Sequence, residues 1–306
     1  MLVSILDARK SLFAALPGTR TESVPLSLAA GRYLASDLAS GEDVPPADRS
    51  TMDGFAVRAS DTVRAPVDLR IVGEVAAGSE GAPIGGPGTC ARIFTGANVP
   101  PGADAIAIVE RTEPAGAAVV RLLEPVARGE NVRTRGEDCS SGVKVLSAGT
   151  RLGPQHMAVC AAVGADPVPV FAIPRVGVLV TGAEIRRSSD RVGVHETRNS
   201  NGPAVLAALR DLGMGHPVDR GVADDVMEDL VAHLERGLEA CDALIVTGGV
   251  SMGDRDLVPG AVDLVGGRIV LRRVRMKPGK PFLFATAGGG EPVLGLTGHP
   301  GRGLVC

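Results

Sequence analysis

The chain has no tryptophan, one tyrosine and six phenylalanines among 306 residues. Val, Leu, Ile and Ala must therefore fill its core, and the stacking platforms that single-stranded nucleic acids need are nearly absent. The formal net charge is −3, so no basic footprint for a phosphate backbone is in view. Lysine is scarce: Lys10, Lys144, Lys277 and Lys280 are the only four among 32 cationic residues. The five cysteines (Cys90, Cys139, Cys160, Cys241 and Cys306) are odd in number and fit no zinc spacing, as expected of a reduced compartment. The N-terminus meets Asp7, Arg9 and Lys10 too early for a signal peptide. No uncharged apolar run approaches the roughly 18 residues of a membrane span. These absences point to a cytoplasmic protein with neither nucleic-acid nor membrane partners.

Glycine and proline are plentiful, 41 and 22 residues. Together they far exceed the roughly 12% of average usage, which calls for many turns and backbone-lined loops. With 44% hydrophobic and 22% charged residues the chain is globular. At roughly 150 residues per domain, the length suggests two domains or three small ones.

Residues 4–16 read as an amphipathic helix capped by Ser4 and stopped by Pro17-Gly18, with Ile5, Leu6, Leu12, Phe13 and Leu16 on one apolar face. Residues 24–40 suggest a weaker helix running into an extended segment. From Gly41 to about Cys139, short β-like runs alternate with Gly/Pro loops, as in a small all-β module. Residues 147–165 return to helix, with Pro154 in the first turn and Gly164 at the stop. After Pro174, strands and helices alternate, which predicts a mostly parallel sheet covered on both faces. Ligands on such sheets bind beyond the carboxyl ends of the strands.

Two predicted strands there end in glycine loops, VLVTGAE (178–184) and LIVTGGVSMGDRD (244–256). In the second, Gly248 and Gly249 let a ligand approach the backbone, Ser251 offers a hydroxyl, and the loop leads toward a helix N-terminus that favours anions. A tight strand-to-helix turn explains that loop equally well. MKPGKP (276–281) is sharper: Pro278 and Pro281 stiffen a loop that aims Lys277 and Lys280 at one oxyanion. Acids flank these features: Glu184, Asp224, Asp225 as a helix cap, and Asp256. Carboxylates beside a phosphate-type site describe a Mg²⁺-bridged phosphate. In the β module, Asp53 precedes Gly54, Thr95 precedes Gly96, and Asp138 follows Arg128, Arg133 and Arg135. Each of these is equally a turn residue.

Taken together, STMDGFAVR, IFTGANVPPGADAIAIVE, RTRGEDCSSG, RVGVLVTGAE, TGGVSMGDRD and MKPGKPF stand in the order found in the MoeA family of molybdopterin molybdenumtransferases, related to the gephyrin E domain and its plant counterparts. The resemblance runs from about residue 5 to about residue 300. It implies a multidomain α/β fold: a split helical linker and dimerisation domain (1–45 plus 140–173), an inserted β module (46–139) and a three-layer, MogA-like molybdopterin-binding domain (174–306).

The activity it implies is Mg²⁺-dependent insertion of molybdate into adenylylated molybdopterin, with release of AMP. Asp53, Thr95, Asp138, Glu184, Asp224 and Asp256 then match acidic or polar active-site positions. Glu184, Asp224 and Asp256 would hold the metal, and Gly248, Gly249, Ser251, Lys277, Pro278, Lys280 and Pro281 the substrates. The dithiolene belongs to the substrate, so Cys90, Cys139, Cys160 and Cys241 are assigned to packing. A homodimer with a shared cleft, an adenylyltransferase of the MogA type and molybdoenzymes are the implied partners. The chain departs from the family at Ala183, where Asp is usual, and at Thr297 and His299, where Pro and Asn are usual. The family's C-terminal β domain is expected to be missing. A non-catalytic molybdopterin-binding or scaffold protein and a MogA-like adenylyltransferase are the alternatives.

Overall fold

The computed structural model describes residues 2–81, 83–213, 215–250, 256–277 and 280–304. The chain forms two compact units, residues 21–170 and a second made of residues 1–20 with 171–306.

The first unit contains the expected β module. Its strands are β1 (Gly54–Val57), β2 (Val67–Val75), β3 (Thr89–Ile93), β4 (Ala105–Ile108), β5 (Thr112–Gly116) and β6 (Val119–Leu122). They make one sheet in the order β4-β1-β3-β2-β6-β5, antiparallel except for β2 with β3. Alternation along the strands sends Leu69, Val120 and Leu122 to one apolar cluster and Ala91, Ile93 and Ile106 to another.

A third cluster joins residues on both sides of the module: Val24, Ala29 and Leu34 meet Leu152, Cys160, Val168 and Val170. The split linker thus has a core of its own, but it is mostly extended. The expected helix over 24–40 is a single 3₁₀ turn, Leu26–Leu28. Thr21–Val24 pairs with Val168–Phe171, and Leu38–Ala39 with Lys144–Leu146. Pro25 and Gly31 (φ +80°) interrupt the helical pattern, and the chain finds its hydrogen bonds across the linker instead. The helix predicted over 147–165 is α2 (Pro154–Ala162), with Pro154 in its first turn.

In the second unit β7 (Arg175–Thr181), β8 (His216–Ala223), β9 (Ala243–Thr247), β10 (Arg268–Arg272), β11 (Phe282–Thr286) and β12 (Pro292–Leu296) form a sheet in the order β8-β7-β9-β12-β11-β10. The first four strands in that order are parallel, and the last two pairings are antiparallel. The expected mostly parallel sheet therefore ends in an antiparallel meander, because the connection from β11 to β12 is too short for a crossover.

Helices α4 (Met227–Ala240) and α5 (Val258–Leu264) cover one face through Leu230, Leu234, Val258 and Val262 on Leu179, Val246 and Leu283. Helix α3 (Asn201–Leu212) covers the other through Val205 and Leu206 on Val178 and Ile245. Beside it lies the N-terminal helix α1 (Ile5–Ala15), capped by Ser4 as expected. This helix packs with the α/β unit, whereas the sequence reading joins it to the linker. It buries Ala8 and packs Leu12 and Ala15 against Leu271, Phe282 and Phe284. Ile5, Leu6, Phe13 and Leu16, placed above on one apolar face, are exposed. The small side chains of Ala8 and Ala15 let the helix lie close to Phe284.

Candidate functional site

In the α/β unit the candidate loops converge on one edge of the sheet. Thr181 lies beside Ala223, Val180 beside Thr247, Thr247 beside Leu296, Leu296 beside Phe282, and Leu283 beside Arg272. This is the carboxyl edge of the parallel strands, where such sheets bind ligands. It spans five strand spacings, on the order of 24 Å.

The register makes that edge electrically lopsided. Glu184, Asp224 and Asp225 follow β7 and β8 at one end. Lys277 and Lys280 lie between β10 and β11 at the other, both exposed, with no ion pair among the described residues. Pro281 is half-buried at the start of β11. Ser251 and Pro278 lie outside the described residues.

Gly248 and Gly249 sit midway, after β9. Gly248 has φ +99°, and a Cβ there would lie 2.6 Å from Thr181 Oγ1 and 2.7 Å from Thr181 O. Only glycine fits. Its N–H donates to Leu296 O at 3.0 Å, which ties the loop to β12. Thr247, just before it, is buried, and its Oγ1 has no hydrogen-bond partner among the described residues. Asn201, at the start of α3, donates from Nδ2 to Gly298 O at 2.7 Å and so fixes the loop after β12. His299 is the exposed N-cap position of the short helix α6 (Pro300–Gly303), a loop histidine.

Asp225 does not cap α4, whose N-cap is Val226 without a side-chain bond. Its Oδ2 instead accepts from the Ala183 N–H at 3.4 Å, across from Glu184. The Asp224 N–H donates to Asp229 Oδ2 at 2.9 Å. Among the described residues, no three His, Cys, Asp or Glu side chains are grouped to hold a metal ion. Glu184, Asp224 and Asp256 therefore do not form a ready-made cage. A groove of about 850 Å³ lies elsewhere, at the amino ends of the strands. Leu12, Leu16, Leu209, Ile245, Phe284 and Leu294 line it, and it collects none of the candidate residues.

In the other unit three candidate loops are laced together around Ser50. The Ser50 N–H donates to Ala97 O at 2.9 Å, its carbonyl accepts from the Gly96 N–H at 2.8 Å, and Ser50 lies opposite Val132. Asp53 Oδ1 accepts from both the N–H and the hydroxyl of Thr95, each at 2.7 Å. Those two bonds, the hydroxyl first, hold the Asp53 carboxyl below its ordinary range; desolvation opposes them and Arg92 adds to them. Asp138 is paired with Arg133, while Arg135 binds Asp43 at 2.6 Å and Arg128 reaches Asp104 at 3.7 Å. The three arginines are thus paired with carboxylates of their own unit.

Two supporting residues escaped the sequence reading. Ser50 is the hub just described, and Asn131 adopts φ +60°. The Asn131 carbonyl accepts from the Thr51 N–H and hydroxyl at 3.0 Å each, and its Nδ2 donates to Ile106 O at 3.0 Å. An Asn in a loop is the one available signal, since Asn tolerates the left-handed region.

The cysteines divide as follows. Cys90, Cys160 and Cys241 are buried, and burial pushes the Cys90 thiol up to about 12. Cys139 is half-buried rather than packed in a core.

Comparison with known proteins accounts for this arrangement. Residues 3–164 match the MoeA N-terminal region (domain I and II), and residues 177–306 match a probable molybdopterin binding domain. The chain belongs to the MoeA family. It is 36% identical over 287 residues to the molybdopterin molybdenumtransferase of Bacillus subtilis, an alignment covering 92% of this chain and 66% of the relative. With the Synechococcus elongatus molybdopterin molybdenumtransferase it shares 36% identity over 272 residues, 87% of this chain and 67% of that one. The chain thus spans about two thirds of the length of these curated relatives. The solved structure of a molybdopterin biosynthesis MoeA protein from Pyrococcus horikoshii matches with TM-score 0.88 and 33% identity, over 99% of this chain and 76% of that chain. The mixed α/β, multidomain architecture of this MoeA family member agrees with that structure.

Proposed function

We propose that this chain acts in molybdenum cofactor biosynthesis, inserting molybdate into adenylylated molybdopterin with release of AMP. The observation that carries the reading is the carboxyl edge of the α/β unit. There a glycine loop that no Cβ could enter stands between a cationic end and an acidic end.

Gly248 allows the pterin substrate to lie against the backbone. Lys277 and Lys280, which make no ion pair among the described residues, would hold the incoming oxyanion as two point charges. The sulfurs that receive the metal belong to the substrate, and a thiol as hard to ionise as that of Cys90 supplies no competing thiolate at neutral pH. Mg²⁺ typically binds through one or two carboxylates plus substrate phosphates. Among the described residues the carboxylates present do not make a cage alone. In the β module, the exposed Asp53–Thr95 pair is the surface we assign to a homodimeric shared cleft.

The test is reconstitution of the purified chain with adenylylated molybdopterin, molybdate and Mg²⁺. AMP release coupled to formation of molybdenum-bearing pterin is expected. Binding of neither the adenylate nor molybdate would overturn the reading.

A further inference from the structure

Residues 264–290 hold six cations (Arg268, Arg272, Arg273, Arg275, Lys277 and Lys280) and no Asp or Glu. This stretch carries +6 in a chain of net −3, which leaves −9 elsewhere. Arg268 lies opposite Thr286, at the far end of β10. The other five gather at the carboxyl edge, since Arg272 lies opposite Leu283 and Phe282 opposite Leu296. Arg272 and Arg275 are exposed and Arg273 half-buried. None of the three makes an ion pair among the described residues, in contrast to Arg133, Arg135 and Arg186.

The backbone adds a second, independent observation. Arg273 has φ +67°, a conformation that glycine or asparagine adopts at less cost. The turn is pinned on both sides: the Arg273 N–H donates to Phe282 O at 2.8 Å, and the Arg275 N–H to Val3 O at 2.7 Å. A long cation is thus kept where the backbone disfavours one. Charges on an edge strand often serve only to prevent sheet extension. That role concerns the strand itself, and Arg273 and Arg275 lie beyond it.

We propose that Arg272, Arg273 and Arg275 form an oxyanion-gathering strip that delivers a tetrahedral dianion to Lys277 and Lys280. This rests on the function proposed above. Like charges so close in the chain make overlapping positive potentials within a Debye length, about 10 Å at 0.1 M salt. Such fields raise capture of small anions. Guanidinium forks bind two oxygens at once, whereas the lysines act as point charges at the destination. No bond is made or broken in this step.

The test is equilibrium dialysis of the whole chain against molybdate at low and at physiological ionic strength, with molybdenum counted by mass spectrometry. The variants are R272Q/R275Q, R273N and, for comparison, K277Q/K280Q. At low ionic strength the Kd should rise roughly tenfold in R272Q/R275Q, with a flatter salt dependence, while the lysine variant loses binding. R273N should bind more weakly yet melt at or above the parent's temperature. Parent-like Kd and salt dependence in both arginine variants, alongside loss in the lysine variant, overturns the strip. A parent chain that takes up no molybdate at either ionic strength overturns the strip, whereas the proposed function falls with it only if the chain also fails to bind adenylylated molybdopterin.

Discussion

Thr95 gives both its backbone N–H and its hydroxyl to the same oxygen of Asp53, at 2.7 Å each. This double donation holds two loops of the β module in register and keeps the carboxylate ionised. Because the folded pKa of Asp53 is depressed, its contribution to stability is present above the unfolded value, about 3.9. The contribution is lost as pH falls through the lower folded value. Thr95→Val keeps the N–H bond and removes the larger, hydroxyl contribution. The Asp53 carboxyl carbon, followed by NMR, should then titrate closer to 3.9. An unchanged midpoint would remove the hydroxyl as a cause.

Two glycines are predicted to be sterically indispensable for different reasons. A Cβ on Gly54 would sit 2.0 Å from Ala107 O in the neighbouring strand. Gly54→Ala should therefore destabilise the β module by about 3 kcal/mol or more, read as a lower urea midpoint. Gly248→Ala meets Thr181 at 2.6 Å and so displaces a loop at the candidate site. Its signature should be weaker binding of adenylylated molybdopterin in calorimetry, at least tenfold, with a smaller change in urea midpoint than Gly54→Ala. Parent-like binding by Gly248→Ala would take this loop out of the site.

Thr247→Val is expected to stabilise the free protein or leave it unchanged. The buried Thr247 Oγ1 has no partner among the described residues, so its hydroxyl contributes a desolvation cost, on the order of 1 kcal/mol, that the isosteric methyl avoids. A thermal midpoint several degrees below the parent would show that the hydroxyl makes a stabilising bond.

Among Cys90, Cys139, Cys160 and Cys241, alkylation by iodoacetamide at pH 8 should reach Cys139 first. The other three are buried, and burial raises their thiol pKa values. Peptide mass spectrometry after brief exposure gives the order. Modification of Cys90 before Cys139 would contradict the packing described here.

Much of the α/β unit was legible because its rules are local. Strands such as 175–181 are largely apolar runs ended by glycine, and α3 stops at Gly213, with φ +61°, the residue type that suits a left-handed helix end. The motif loops were legible for the same reason. What stayed hidden depends on partners distant in sequence. Residues 24–40 have helical spacing, but their backbone groups pair across the linker with residues 143–169, as in Leu34 N–H to Thr150 O at 2.9 Å. Asp225 looked like a cap because it precedes a helix, and only the fold brings it to Ala183. The apolar face of α1 was misjudged because Ala8, Leu12 and Ala15, not Ile5, Leu6, Phe13 and Leu16, make its close contact.

The clasp between Val3 and Arg275 sets an order of events during synthesis. Helix α1 leaves the ribosome well before the strands it rests on, β10 and β11. Unit 21–170 can complete its own core while α1 still waits. Helix α1 must therefore remain undocked, with its leucines exposed, until about 270 residues have followed it. That interval is when the chain is most open to aggregation, and when a chaperone has a reason to hold it.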